Sequence, residues 1–123
     1  LEMTMLYRTQ LTQIGEYAAD ALSDKMMILF NDNAPADVAD YCFIHPAAPL
    51  TGEISVGGQF MLGAVSYPIT AVGDVVNQNL GELGHITIRF DGDTVAEYPG
   101  TVHVKGICPD ELALGTEIIF KTE

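Results

Sequence analysis

Positive charge is scarce in this sequence of 123 residues. Its 5 lysine and arginine residues stand against 17 aspartate and glutamate residues, which gives a formal net charge of −12. Proteins that bind nucleic acids or anionic membranes need a basic surface, so the composition argues against both kinds of target. Two explanations fit the acidity: a basic protein partner, or solubility of a small apolar domain.

Cysteines and long apolar runs are also few. Two cysteines, Cys42 and Cys108, are too few for a disulfide framework in a chain of this length, so both are expected to be small buried hydrophobic residues. The segment MMILF at residues 26–30 is typical of the longest apolar runs, far short of the roughly 20 residues that span a membrane. Residues 1–2 resemble a cloning remnant, and no secretory signal is visible. We expect one cytoplasmic domain over residues 3–123.

Short β-rich segments separated by Gly, Pro, Asn and Asp make up most of the chain. The predicted strands cover residues 5–14, 26–30, 59–62, 67–72, 85–90, 101–105 and 117–121. Short helical turns are expected at residues 16–23 and around residues 75–83. The sequence therefore predicts an all-β single domain, barrel-like or sandwich-like, of about seven or eight short strands with one or two short helical turns.

Three histidines carry the candidate chemistry. His45 ends the segment DYCFIH, and the following Pro46 disfavours helical backbone, so we expect His45 where a strand leaves the core. That position suits a nucleophile, and the pattern alone gives a chemical and a structural role equal weight. His85 begins HITIRF and His103 lies inside TVHVKG. Both belong to predicted strands, and a structural role is favoured for each.

Zinc binding and cysteine nucleophilic catalysis are weaker alternatives. Cys42, His45, His103 and Cys108 together supply two thiols and two imidazoles, a set that zinc accepts. Residues three apart on an extended segment point to opposite faces, so Cys42 and His45 would need a sharp turn to share one ion. For the same reason, His45 does not lie where it could act as the base for a Cys42 nucleophile. The sequence also contains no nucleotide-binding or hydrolase motif. We expect no metal, nucleotide or organic cofactor.

Nearly the whole chain from residue 3 resembles the glucitol/sorbitol-specific IIA component of the bacterial phosphoenolpyruvate-dependent sugar phosphotransferase system (PTS). The resemblance is carried by ALSDKMMILF (21–30), APADVADYCFIH (34–45), YPITAVGDVVNQNLGELGHITIRFDG (67–92), EYPGTVHVKG (97–106) and PDELALGTEIIF (109–120). It implies a phosphocarrier that accepts a phosphoryl group from the phosphohistidine of HPr and passes it to the IIB component of the sorbitol permease. The permease also contains the IIC component. The family's phosphorylated histidine lies in the C-F-I-H segment, here His45. Relatives can carry another histidine shortly afterwards, where this chain has PAAP at residues 46–49.

This implied function requires a reactive histidine that two partners can reach in turn. Imidazole is a suitable nucleophile near pH 7, and phosphoryl transfer depends mainly on positioning and charge stabilisation. We expect the rigid apolar rim that contains Pro46 and Pro49 to dock against the partners. Because cations are few, backbone N–H groups at Gly84 and Gly100 are the expected donors to the phosphoryl group.

A second histidine is expected beside His45, by analogy with other IIA proteins. His103 is preferred for this place, with His85 as the other candidate. The alternative function, from a different class, is a small β-barrel binding module without covalent chemistry. Its histidines would be structural or would hold a metal.

Overall fold

A computed structural model describes residues 4–122, so the suggested cloning remnant at residues 1–2 lies outside the described chain. The strands are β1 (Met5–Gln10), β2 (Gln13–Ile14), β3 (Met26–Asn31), β4 (Phe43–His45), β5 (Gln59–Leu62), β6 (Val65–Val72), β7 (Ile86–Arg89), β8 (Thr101–Val104) and β9 (Glu117–Lys121). The helices are a 3₁₀ helix (Ala18–Asp24), α1 (Ala36–Ala39) and α2 (Val76–Leu83). Within residues 4–122, none of these helices has the length and apolar character needed to cross a membrane.

The nine strands form one sheet in the order β1-β9-β5-β6-β8-β7-β3-β4-β2. Two neighbouring pairs, β3 with β4 and β7 with β8, are parallel. The strands at the two ends of this order, β1 and β2, are joined by Leu11 and Thr12, whose backbone N–H groups donate to the carbonyls of Thr116 and Ile44. This connection brings the two ends of the sheet together, so the sheet curls. The predicted all-β, barrel-like architecture is confirmed.

Two local differences separate the predicted elements from the observed ones. The strand predicted over residues 5–14 is two strands, because β1 pairs with β9 and β2 pairs with β4. Helix α1 was not predicted, since its four residues are too few to show a helical period. It follows Pro35 and leads the chain towards β4.

The main core fills the inside of the curled sheet, here called the inner face. Its aromatic centre packs Phe60 against Phe120, with 5.0 Å between the ring centroids. Alternation along β7 and β8 places Ile88 and Val102 in this core and turns the residues next to them in sequence to the outer face. On that outer face, a smaller cluster packs Phe30, Cys42 and Ile44 together.

Candidate functional site

His45 is the last residue of β4, as predicted, and its side chain is turned to the inner face. The residue is fully buried, with 0% of its surface exposed. The ring of Tyr7 packs edge-on against the imidazole, with 6.1 Å between centroids. The expectation that partners can reach the ring directly is therefore wrong for this conformation, because strand alternation turns the ring inwards rather than out of the strand end.

Both ring nitrogens of His45 face backbone carbonyl oxygens. Nδ1 lies 2.9 Å from the oxygen of Pro46, and Nε2 lies 2.9 Å from the oxygen of Gly84. A neutral imidazole has one N–H and one lone pair, so it satisfies one of these acceptors, whereas an imidazolium donates to both. A nitrogen attacks only through a free lone pair. Chemistry at His45 therefore requires one of the two carbonyls to separate from the ring.

Gly84 is held close to the His45 ring by the end of α2. Its φ is 59°, in the left-handed region, and its N–H donates to the carbonyl of Leu80. A Cβ at this position would lie only 2.5 Å from Cε1 of His45, so glycine alone permits this backbone approach. In this conformation the Gly84 N–H, the predicted donor to the phosphoryl group, is bonded to the Leu80 carbonyl, and the Gly84 carbonyl faces the ring instead.

Three further residues surround His45 that the sequence did not identify. Asn31 is its partner across β3 and β4 and is buried. Thr9 donates its hydroxyl to the Pro46 carbonyl that also faces Nδ1, at 3.2 Å. Tyr7 contacts the ring directly, and burial raises the pKa of this phenol to about 12. Finding Tyr7 and Thr9 from sequence would have required knowing that β1 passes beside the end of β4.

The segment that follows His45 contains the two prolines predicted to dock partners. Pro49 is exposed and Pro46 is half-buried. An open groove of about 340 Å³ lies between residues 46–48 and β1. In this groove Arg8 is paired with Glu117, at 2.7 Å between Nη2 and Oε2. Residues 46–50 thus form an accessible surface directly beside a buried histidine.

His85 lies on the outer face, since Ile86 after it belongs to the inner core. Its ring stacks on Phe30 with 4.4 Å between centroids, and Nδ1 lies 3.0 Å from the carbonyl oxygen of Leu29. His85 follows Gly84, the residue that contacts His45. His85 is thus adjacent in sequence to a residue that contacts His45, but the two rings lie on opposite faces of the sheet.

His103 lies on the outer face of β8 and is 3% exposed. Strands β7 and β3 stand between β8 and β4, which separates His103 from His45 by about 14 Å across the sheet alone. It is in register with Arg89, which pairs with Met26 at the opposite end of β3 from Asn31. The prediction that His103 is the neighbour of His45 is therefore wrong, because strand order separates them.

Gly100 likewise lies away from His45. It precedes β8, and its carbonyl accepts a hydrogen bond from the N–H of Thr87 on β7. It lines an outer-face cavity together with His85. Its predicted place as a donor beside the His45 phosphoryl group does not fit this position.

The Nδ1–H of His103 donates to Oδ1 of Asp91 across 2.7 Å. Burial alone would raise the pKa of the Asp91 carboxyl, but hydrogen bonds from His103 and from the backbone N–H of Asp93 outweigh burial and hold this pKa below its ordinary value. Asp91, Asp93 and His103 are grouped closely enough to be candidate metal ligands, because one potential ligand atom of each lies within 4.8 Å of the other two. The sequence reading missed this set, although the DGD segment at residues 91–93 carries both carboxylates. Asp91 already serves two donors inside the cluster.

The four residues weighed as zinc ligands are spread over the structure. Cys42 lies in the outer-face cluster, and burial raises its thiol pKa to about 11, which favours an unreactive thiol. Cys108 is half-buried, with Sγ 3.6 Å from the carbonyl oxygen of Leu22. His45 and His103 stand on opposite faces. These positions give the two cysteines the packing role expected for them.

Comparison with known proteins identifies the family. Residues 6–119 match the family model of the PTS system glucitol/sorbitol-specific IIA component. The PTS system glucitol/sorbitol-specific EIIA components of Shigella flexneri and of Escherichia coli (strain K12) are each 53% identical over 120 residues, which cover 98% of this chain and 98% of the relative. The crystal structure of the PTS system IIA component from Enterococcus faecalis V583 shares the fold with a TM-score of 0.77 and 26% identity, covering 90% of this chain and 96% of that chain. The resemblance read from the sequence is thus confirmed: the chain belongs to the glucitol/sorbitol-specific IIA components of the phosphotransferase system, a family of phosphocarriers in sugar transport.

Proposed function

We propose that this protein carries a phosphoryl group on His45, taken from phospho-HPr and given to the IIB component of a glucitol/sorbitol permease in the cytoplasm. The observation that carries the proposal is the position of this ring. His45 is the histidine of the C-F-I-H segment, and the groups at its two nitrogens are neutral backbone carbonyls rather than a carboxylate or metal ligands. It also adjoins the accessible residues 46–50.

Phosphoryl transfer exchanges one P–N bond for another. A ring nitrogen of His45 attacks phosphorus on the donor's phosphohistidine, the new P–N bond forms, and the electron pair of the broken bond returns to the donor imidazole. The second step repeats this exchange with a nucleophile of the IIB component. Such a transfer depends on positioning rather than on an elaborate catalytic set.

The geometry favours Nε2 as the attacking nitrogen. The Pro46 carbonyl at Nδ1 belongs to the residue next to His45 and can move with it, whereas the Gly84 carbonyl at Nε2 belongs to the end of α2. When the end of β4 moves away from α2, the contact at Nε2 is released and the bond from Nδ1–H to Pro46 can persist. The free Nε2 lone pair then points away from the retained hydrogen bond.

Access to the ring requires a local opening. Residues 46–50 are tied to β1 by the hydroxyl of Thr9 on Pro46 and by the N–H of Thr51 on the carbonyl of Leu6. Each such bond contributes about 1 kcal/mol, so releasing them costs a few kcal/mol and leaves the open state as a minor population of roughly 0.1–10%. Docking of HPr on Pro46 and Pro49 would draw on this population.

The test incubates the protein with phosphoenolpyruvate, enzyme I and HPr and records the intact mass. Wild type, His45→Ala, His85→Ala and His103→Ala are compared, and the acid-labile phosphate is mapped. A gain of one phosphoryl group that disappears only in His45→Ala supports the proposal. If wild type gains no mass while a known HPr acceptor in the same tube does, the proposal is overturned. The non-covalent binding module then takes its place, and metal analysis of the purified protein separates its structural and metal-binding forms.

A further inference from the structure

A second polar cavity lies on the outer face, away from the His45 ring. It has a volume of about 330 Å³, a size that accommodates a small molecule, and it opens to solvent. The polar groups around it come from α2, β7, β8 and the segment before β8: Asn79, His85, Thr87, Arg89, Tyr98 and Thr101. His45 faces the other side of the sheet, so this cavity is separate from the proposed phosphoryl site.

Charge distinguishes this cavity from the other grooves that contain a cation. Arg8 lines two grooves beside β1 but is paired with Glu117, and the groove that contains Lys25 is also lined by Asp110. The outer-face cavity contains Arg89 and no acidic residue in its described lining. Although the protein has a net charge of −12, the described lining of this cavity therefore carries a cation without a carboxylate.

The Arg89 side chain is held in place but is not satisfied by the protein. Its guanidinium carbon lies 5.8 Å from the centre of the Tyr98 ring, a cation–π arrangement that orients the group. Its Nε is buried and has no hydrogen-bond acceptor among residues 4–122. Asp91, two residues further on, directs Oδ1 to His103 and to the backbone N–H of Asp93 instead. The guanidinium is therefore a positioned donor that lacks an acceptor at Nε.

Neutral donors stand near this cation. Thr87 and Thr101 are cross-strand partners on β7 and β8, so their side chains are neighbours in the cavity lining. Asn79 adds a side-chain amide from α2. A guanidinium, two hydroxyls and an amide can together address the three terminal oxygens of a phosphate monoester, which guanidinium groups bind in bidentate geometry.

We infer that this outer-face cavity binds a small phosphate monoester, with Arg89 as the anchor for the phosphate and Thr87, Thr101 and Asn79 as further donors. The rings of Tyr98 and His85 border the space for the rest of the ligand. This site does not depend on phosphorylation of His45. A cell that takes up and phosphorylates sugars contains many ligands of this chemical class.

The experiment titrates ¹⁵N-labelled full-length protein with glucitol 6-phosphate and follows the amide signals by NMR. Glucitol, inorganic phosphate and acetate are titrated separately at the same ionic strength. Saturable shifts at Thr87, Gly100 and Thr101 with glucitol 6-phosphate, and none with glucitol, support the site. Equal binding of acetate, or no saturable shift with any phosphate compound at millimolar concentration, overturns it.

Variants then test the anchor. Arg89→Gln is expected to raise the Kd by about 10- to 100-fold, as for loss of a charged hydrogen bond, and Arg8→Gln removes the same charge elsewhere and should leave the Kd unchanged. Thr87→Val, which keeps the shape of the side chain, should raise the Kd by roughly 5-fold. If Arg89→Gln does not fold, Thr87→Val decides the question. Unchanged affinity in the folded variant that is measured contradicts the inference.

Discussion

His45 and His103 are both buried histidines, but they are held by groups of different charge. The nitrogens of His45 face the neutral carbonyls of Pro46 and Gly84, while Nδ1 of His103 donates to the carboxylate of Asp91. A carboxylate stabilises a protonated ring and repels an incoming phosphoryl group, which is itself anionic. Carbonyls align the ring without adding negative charge. Burial alone therefore does not distinguish the two rings, and the uncharged surroundings of His45 support its proposed role as the phosphoryl acceptor.

The largest effect is expected when a carboxylate is introduced next to His45, because this removes the difference in charge between the two histidine environments. Asn31 is its cross-strand partner, and Asn31→Asp keeps the size of the side chain while adding charge. Repulsion of a few kcal/mol against a dianionic group predicts phosphorylation by phospho-HPr about 100-fold slower. Rapid-quench rates measure the change, with circular dichroism to show that the variant is folded. Asp91→Asn is the matched control and should transfer at the wild-type rate; equal rates for all three proteins would contradict the electrostatic distinction.

A second change tests the close contact at Gly84. Gly84→Ala places a methyl group 2.5 Å from Cε1 of His45 and also forces alanine to a φ of 59°. Gly92→Ala is the matched control, because φ is 65° there and the nearest atoms stand at an ordinary 3.7 Å. The left-handed backbone should cost each variant about 1–2 kcal/mol of unfolding free energy, and the clash should cost Gly84→Ala about 1–3 kcal/mol more. Urea denaturation measures both, and equal losses would show that the ring makes room for the methyl group.

The Asp91 contact with His103 should contribute to stability in a pH-dependent way. Because the folded pKa of Asp91 is lowered, the contribution is present above its ordinary pKa of 3.8 and is lost as the pH falls through the folded value. The Asp91 side chain is 37% exposed, so solvent limits the difference between wild type and Asp91→Asn to about 1 kcal/mol or less at pH 7. Denaturation at pH 7 and pH 3 measures it, with exposed Asp37→Asn as control. A difference that grows towards pH 3 would reverse the expected sign.

The smallest effect is expected in the alkylation of Cys42, which reports how much of β4 moves when the His45 ring becomes accessible. Cys42 is buried just before β4 with a thiol pKa of about 11, and Cys108 is half-buried. Burial raises the thiol pKa of both cysteines, but Cys108 is more accessible, so we expect alkylation of Cys108 to be faster than that of Cys42 at pH 8. If opening is confined to residues 46–50 and the end of α2, phospho-HPr should leave Cys42 protected. Mass spectrometry after iodoacetamide treatment reads both sites, and rapid labelling of Cys42 would mean that all of β4 detaches.

Local features of the sequence predicted much of the fold. Pro46 indicated extended backbone at His45, and the glycines around α2 indicated a short helix. The positions that failed depend on residues distant in sequence. His103 was preferred over His85 for its position in the PGTVHV segment, and nothing local shows that β7 and β3 stand between β8 and β4.

The His45 environment was the least predictable part of the site. Whether the ring turns inwards is decided by which face of β4 the core covers, a property of the assembled sheet. The two acceptors that face the His45 ring are backbone carbonyls, and because every residue has one, no residue type in the sequence predicts which carbonyls these are. The C-F-I-H segment allowed His45 to be predicted as the phosphoryl acceptor through the family resemblance, but nothing in that segment predicts its burial.

The connection through Leu11 and Thr12 has a consequence for how the protein folds. Leu11 and Thr12 follow β1, which pairs with β9, and the paired residues Arg8 and Glu117 are separated by 109 positions in sequence. Contacts between such distant residues form slowly, because a long loop must close first. Tyr7 on β1 reaches His45 in the same region. The surroundings of His45 are therefore completed only after β9 has been synthesised, so a growing chain on the ribosome that still lacks β9 does not present the finished site.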